Sequence, residues 1–270
     1  MTWRALRKKI FFVVWTLFIY ALWMACWPLE WLGAGETRLR GLRRGIHRMW
    51  GRGLLWGLGA RVTVTGPRPK APYFLVANHL SYVDTFLLAG TVGGSFVARA
   101  DMAGWPVWGW MMRKAYQVFI DREDMRDATR VLGLIGEVLD KGDGVILFPE
   151  AGCTRGNTVR QFRPALFQVA ASRNAPVHWA AITYATPPGC PAAGDDVVWW
   201  RHEEFLDHFE RFLRLPYFHA NVTFCPEPIV APDRKQLAAR AHAEVSRHFV
   251  PIVQGTLPEL PPPPGVKVFD

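Results

Sequence analysis

Tyr73-Phe74-Leu75-Val76-Ala77-Asn78-His79-Leu80-Ser81-Tyr82-Val83-Asp84-Thr85-Phe86-Leu87-Leu88 is the stretch on which the fold turns. Five apolar residues, a short polar turn and a second apolar run predict a buried strand followed by a helix over 81–88. With Ser81 as N-cap, Asp84 falls at N3, the acidic position of a capping box, where a carboxylate reaches back to the residues before the helix. His79 stands there. The His-x4-Asp spacing is therefore expected to bring imidazole and carboxylate within hydrogen-bond reach. Such a pair is the base and orienting half of a triad without a nucleophile, suited to deprotonating a hydroxyl that the substrate supplies. A purely structural reading uses the same residues: Asp84 as a helix cap, His79 as an ordinary loop histidine.

Outward from this stretch the pattern alternates. Strands are expected over 61–65, 73–77, 95–99, 116–120, 145–148, 177–184 and 221–224. Helices are expected over 125–139, 163–172, 201–213 and from an Asp233 cap to 249. This predicts an α/β fold: a mixed, largely parallel sheet flanked by helices. His79, Arg122 and Glu150 each follow a strand candidate, and sites in open α/β sheets form outside the carboxyl ends of strands.

The N-terminal part differs. Net charge is +9, yet residues 1–52 hold ten Lys/Arg against Glu30 and Glu36, so nearly all of the excess lies there. Ile10–Trp27 is uncharged and just long enough to span a bilayer core. Basic residues on both sides of this run, with Pro28 and Gly33-Ala34-Gly35 allowing a turn, point to a re-entrant or monotopic anchor on the cytoplasmic face of the inner membrane rather than to nucleic-acid binding. Leu39, Leu42, Ile46, Met49, Trp50 and Leu54 form an apolar stripe among arginines, as in an interfacial helix; a soluble helix docked on the domain is the competing reading. The domain plan is an anchor over 1–58, a catalytic α/β domain over 59–250 and a Pro-rich, extended tail over 251–270.

Four blocks in order resemble the glycerolipid acyltransferase family, the bacterial lysophosphatidate and lysophospholipid acyltransferases. Asn78-His79-Leu80-Ser81-Tyr82-Val83-Asp84 matches NHxxxxD, and Phe119-Ile120-Asp121-Arg122 matches FIDR. Phe148-Pro149-Glu150 opens the FPEGT block, and Ala175-Pro176-Val177 precedes a strand as in the family. Trp105-Pro106-Val107-Trp108-Gly109 is similar to a further family stretch. The resemblance runs from about residue 60 to 230. The third block departs: Ala151 replaces Gly, Gly152 replaces Thr, and Cys153 stands where many members have Arg. With Phe162-Arg163-Pro164-Ala165-Leu166-Phe167 it is similar to a subgroup acting on lyso-ornithine lipids.

The resemblance implies transfer of a fatty acyl group from acyl-CoA or acyl carrier protein, as co-substrate, to a lysolipid hydroxyl. The leading acceptor is 1-acylglycerol-3-phosphate, with lyso-ornithine lipid as the alternative. No cofactor and no metal are expected; membrane lipids are the partners and nucleic acid is not. His79 is the expected base, largely neutral at cytoplasmic pH on its ordinary pKa of about 6.5, and Asp84 steadies its cation. Arg122 and Arg155 are candidates for the acceptor's anionic group, as are Arg160 and Arg163. Glu150 helps form the acceptor site, or is a buried structural carboxylate. Backbone N–H groups at the helix start or around Gly152 are the expected oxyanion donors. The Trp105–Met112 stretch is read as acyl groove, membrane contact or core. Cys26, Cys153, Cys190 and Cys225 are dispersed and suggest neither a zinc site nor a disulfide framework. No GxSxG, P-loop or dinucleotide fingerprint occurs. The alternative of another class is a lipid-binding or partner-binding membrane protein that kept this fold without catalysis.

Overall fold

The computed structural model describes residues 2–26, 28, 35–104, 109, 112–113, 115, 117–121, 125–201 and 203–252. Its centre is a seven-stranded sheet in the order β1-β7-β6-β2-β5-β3-β4. The strands are β1 (Ala60–Thr65), β2 (Tyr73–Ala77), β3 (Ser95–Arg99), β4 (Val118–Ile120), β5 (Gly144–Leu147), β6 (Val177–Ala185) and β7 (Phe218–Phe224). β6, β2, β5, β3 and β4 run parallel; β7 pairs antiparallel to β6, and β1 parallel to β7. The sheet is thus mixed and largely parallel. β2 lies between β5 and β6 and is buried along its whole length. That explains its uninterrupted apolar sequence, since a central parallel strand is covered on both faces. β7 starts three residues earlier than expected. Its inward residues Phe218, Ala220, Val222 and Phe224 alternate with partly exposed ones along the whole strand.

The helices are α1 (Trp3–Ala25), α2 (Glu36–Leu58), α3 (Val83–Thr91), α4 (Met125–Asp140), α5 (Gln168–Ser172), α6 (Ala193–Asp196), α7 (Phe205–Arg214) and α8 (Arg234–His248). α4 buries Val131, Ile135 and Val138, one face of its helical period. Asp233 caps α8 as expected, accepting from the N–H groups of Lys235 and Gln236 at 2.9 Å each. The segment 163–172 is not one helix: a 3-10 turn over Ala165–Phe167 behind Pro164 leads into the short α5.

α1 and α2 lie antiparallel. Trp15 Nε1 donates to Trp50 O, Trp50 Nε1 donates to Thr16 Oγ1, and the Arg43 guanidinium sits over Trp23. The pair is also fastened to the sheet domain. The ammonium of buried Lys8 donates to Leu58 O, the last carbonyl of α2, and to Leu215 O, just past the end of α7. Phe12 packs on Phe86 and Phe209. α2 crosses α3 backbone to backbone: a Cβ on Gly51 would stand 2.4 Å from Gly90 N, so the crossing requires glycine there. The expected apolar stripe of α2 therefore divides. Leu39, Ile46, Trp50 and Leu54 are buried, Met49 is partly buried and Leu42 is exposed. On α1, Ile10, Val13, Val14, Leu17 and Phe18 remain about half exposed. α1 is long and apolar enough to cross a membrane by length and composition. Ile252 N donates to Gly156 O, which fixes the end of the described chain; the Pro-rich tail beyond it lies outside the described residues.

Candidate active site

β2 delivers His79 to the carboxyl end of the parallel strands, and β5 delivers Phe148-Pro149-Glu150 beside it. Asn78 closes the gap to β6 as a strand residue would: its side-chain N–H donates to Ile182 O at 2.9 Å and its Oδ1 accepts from Ile182 N at 2.7 Å. The loop that follows is held by Asp84. Its Oδ2 accepts from His79 Nδ1 at 2.8 Å, Leu80 N at 2.6 Å and Ser81 N at 2.9 Å. Its Oδ1 accepts from Tyr184 Oη on β6 at 2.6 Å. α3 begins at Val83, two residues after the expected start, so Ser81 is not the formal cap, although Asp84 reaches back to it as a capping-box acid would. The predicted pairing of His79 with Asp84 is present.

Asp84 is fully buried, while the His79 side chain remains 21% exposed. Phe148 stacks on the imidazole, 4.1 Å between centroids and 14° from parallel. With Nδ1 committed to Asp84, Nε2 is the nitrogen left for proton transfer. Burial disfavours the imidazolium, but the neighbouring Cys153 side chain and the Asp84 carboxylate outweigh it and push the pKa up to about 10. Partners that stabilise the cation thus favour the protonated ring more than the sequence expectation assumed.

Glu150 is buried, and both of its oxygens are used. Oε1 accepts from His79 N and Oε2 from Arg160 N, each at 2.7 Å. Burial is the main reason its carboxyl is raised to about 7; the two N–H donors and the nearby cations oppose the rise. Glu150 thus ties the His79 loop to the loop after β5, and Thr154 N adds a second tie to His79 O at 3.2 Å.

The loop after β5 carries the other candidates. Ala151 holds φ at 61°, the left-handed region that favours glycine. Gly152 lies beneath Arg160: a Cβ there would stand 3.5 Å from Nη1. Of the two expected sources of oxyanion donors, the one before the helix is partly spent: the N–H groups of Leu80 and Ser81 go to Asp84 and that of His79 to Glu150. Arg155 is partly anchored, 3.5 Å from Asp195 Oδ1 with its guanidinium 5.1 Å from the Trp200 ring centre. Its buried Nε has no partner among the described residues. Arg122 lies outside the described residues, as do Trp105, Trp108, Trp110 and Met111.

Two contributors escaped the sequence reading. Tyr184 is buried, and burial together with the Asp84 charge holds its phenol well above its ordinary pKa, so it stays a donor. Tyr82 bonds His208 Nδ1 at 3.0 Å, while His208 Nε2 meets Val198 O at 3.1 Å, and the Tyr82 ring packs among Phe86, Phe205 and Phe209. This nest fixes the turn on the side away from β5. The sequence signal there was membership of Tyr184 in the strand expected over 177–184, which indicates no partner 100 residues away.

Residues 61–183 match the Acyltransferase family model. The chain is 31% identical over 209 residues to the lyso-ornithine lipid O-acyltransferase of Pseudomonas aeruginosa, covering 76% of this chain and 78% of that one. It is 33% identical over 173 residues to the 1-acyl-sn-glycerol-3-phosphate acyltransferase of Neisseria meningitidis serogroup B, covering 61% and 68%. The crystal structure of the 1-acyl-sn-glycerophosphate acyltransferase PlsC from Thermotoga maritima shares the fold, with a TM-score of 0.59 at 18% identity over 89% of this chain and 97% of that one. Motif order, sheet topology and the extent of these matches agree: the chain belongs to the glycerolipid acyltransferase family.

Proposed function

We propose that this enzyme is membrane-associated and moves a fatty acyl group from an acyl thioester to the hydroxyl of a lysolipid, with His79 as general base and Asp84 as its orienting partner. The 2.8 Å contact between His79 Nδ1 and Asp84 Oδ2 carries the reading. It fixes the tautomer and leaves Nε2 to take a proton. The acceptor hydroxyl gives its proton to Nε2 as its oxygen attacks the thioester carbonyl. The C–S bond breaks, and the departing thiolate takes the proton from the imidazolium. A thiolate leaves readily, so no acyl-enzyme is needed. The N–H groups of Gly152 and Cys153, which donate to no other described residue, are the proposed oxyanion donors. Arg155 and Arg122 are the proposed contacts for the acceptor's anionic group. Glu150 acts by positioning, since both its oxygens hold backbone.

The half-exposed apolar face of α1 supports membrane association, with residues 1–58 as the proposed anchor and 59–250 as the catalytic domain. The basic flanks of α1 favour the cytoplasmic face. Between acceptors, the longer match to a lyso-ornithine lipid O-acyltransferase and the Phe162–Phe167 block favour lyso-ornithine lipid over 1-acylglycerol-3-phosphate, which the sequence reading placed first. The test is a panel of lyso-ornithine lipid, lysophosphatidate and lysophosphatidylcholine, offered with acyl-CoA and with acyl carrier protein thioester to detergent-solubilised protein. Acylation of lyso-ornithine lipid at the highest kcat/KM is expected. Preference for lysophosphatidate would return the acceptor to the first reading, and acylation of none by folded protein would defeat the proposal.

A further inference from the structure

α2 presents two stripes. Ile46, Trp50, Leu54 and Leu58 face the sheet domain and are buried. Residues 45, 48, 49, 52, 53 and 56 lie on another face at the same helical period and, with Phe11 and Trp15 of α1, line a cleft of about 720 Å³. That volume lies within the roughly 300–1,000 Å³ usual for small-molecule sites. The walls are Phe11, Trp15, Met49 and Trp56, and the cations are Arg48 and Arg52.

The walls approach closely because α2 has no side chains where the rings enter. A Cβ on Gly53 would stand 2.1 Å from the Trp15 ring, and one on Gly57 would stand 2.0 Å from the Phe11 ring. Arg52 is half committed, its Nε donating to Gly90 O at 2.8 Å. Arg48 is not: its buried Nε has no partner among the described residues. Arg44, Arg52 and Arg68 crowd it with like charge, and Arg44 is paired with Asp143 at 3.4 Å. A buried guanidinium nitrogen without an acceptor, among three further cations and at the edge of an aromatic cleft, is chemically complementary to an anionic amphiphile.

We infer that the α1–α2 cleft holds one anionic glycerophospholipid drawn from the surrounding bilayer, its phosphate on Arg48 and Arg52 and its first methylenes against Phe11, Trp15 and Trp56. A lipid is the occupant rather than free phosphate because the cleft is mainly apolar and opens beside the half-exposed face of α1. The site is separate from the candidate active site. Arg52 meets α3 at Gly90, six residues or about 9 Å along the helix from Asp84. The inference rests on the membrane reading proposed above, which it sharpens into an occupied lipid site.

The experiment uses the full chain. Native mass spectrometry in detergent, with equimolar phosphatidylglycerol and phosphatidylcholine, counts bound lipid; flotation with vesicles of pure phosphatidylcholine or of its mixture with phosphatidylglycerol reads membrane association. Gly45→Leu fills the cleft without altering charge, at a position where a Cβ meets nothing within 4 Å. Arg48→Gln removes the guanidinium whose Nε has no partner among the described residues. One phosphatidylglycerol per wild-type chain is expected. Gly45→Leu should lose it, and Arg48→Gln should bind about fivefold more weakly, the effect of one basic side chain at an anionic lipid. Flotation on phosphatidylcholine should persist in both variants. Full phosphatidylglycerol retention by Gly45→Leu would overturn the site and attribute any anionic preference to diffuse charge. Displacement of the lipid by millimolar inorganic phosphate would overturn the lipid identity. Failure of the wild type to float on either vesicle would defeat the membrane reading itself, a result distinct from loss of the site alone.

Discussion

The loops after β2 and β5 lie side by side at one end of the sheet and are built in opposite ways. In the β2 loop the side chains around His79 are committed: Asn78 bonds β6, and Asp84 accepts from the ring, two N–H groups and Tyr184. The β5 loop carries a left-handed alanine and, among the described residues, N–H groups at Gly152 and Cys153 and a buried arginine nitrogen that have no partner. One loop fixes the proposed base, and the other leaves donors for what that base would act on. The difference teaches where substitutions are costly: in the first loop a lost partner leaves a buried group unpaired, and in the second it alters binding or tuning.

Asp84→Asn strikes the fixed loop hardest. An amide cannot hold the imidazolium, and its own N–H₂ faces the donors of Leu80 and Ser81 if it takes the wrong flip. Steady-state kinetics should show roughly a 10²- to 10³-fold loss in kcat, with a lower melting temperature. Tyr184→Phe removes one bond to the same carboxylate while leaving His79 in contact. About tenfold is the expected loss in kcat, with KM little changed, since a bond to a charged group is worth about 1.5–3 kcal/mol and Asp84 retains three others. Equal activity in this variant would show that the β2 loop does not need its tie to β6.

Cys153→Ala probes tuning by the second loop. As the proposed base, His79 would have to lose its proton to act, and its pKa is raised to about 10, so kcat/KM should climb with pH from 7 towards 10. Deleting Cys153 removes the largest contribution that raises it. The profile should move to lower pH by about one unit, which is tenfold more neutral base near pH 7.5. An unmoved profile would disconnect the two loops electrostatically. The smallest effect is expected from Ala151→Gly, which relieves a left-handed alanine. Denaturant unfolding should show a gain of about 1 kcal/mol with activity retained. Destabilisation instead would mean that the Ala151 methyl group makes contacts worth more than the backbone strain.

The fold was legible where pattern and burial coincide. The run 73–77 is a strand with the expected bounds because a central parallel strand needs apolar residues on both faces. The Asp233 cap announced α8 because its chemistry is local. Local spacing also brought His79 and Asp84 together. What escaped were effects of distant chain. Tyr184 bonds Asp84 across 100 residues, and no local pattern encodes that. The raised pKa of His79 depends on Cys153, which only folding brings near. Which of the two expected sets of N–H donors stays free was not legible, because sequence does not reveal how many donors one carboxylate will gather. On α2, the apolar stripe was visible, but the share facing the sheet domain rather than the cleft is set by the glycine crossing at Gly51 and Gly90.

Acylation of lysolipid by the His79→Ala variant, measured as thiol release from an acyl thioester beside the wild type with both shown folded by thermal melting, tests the central claim most directly. The account predicts that release supported by acceptor falls about a thousandfold or more while the melting curve is preserved. Release within a few-fold of wild type would contradict the assignment of His79 as the base, and with it the mechanism built on the Asp84 contact.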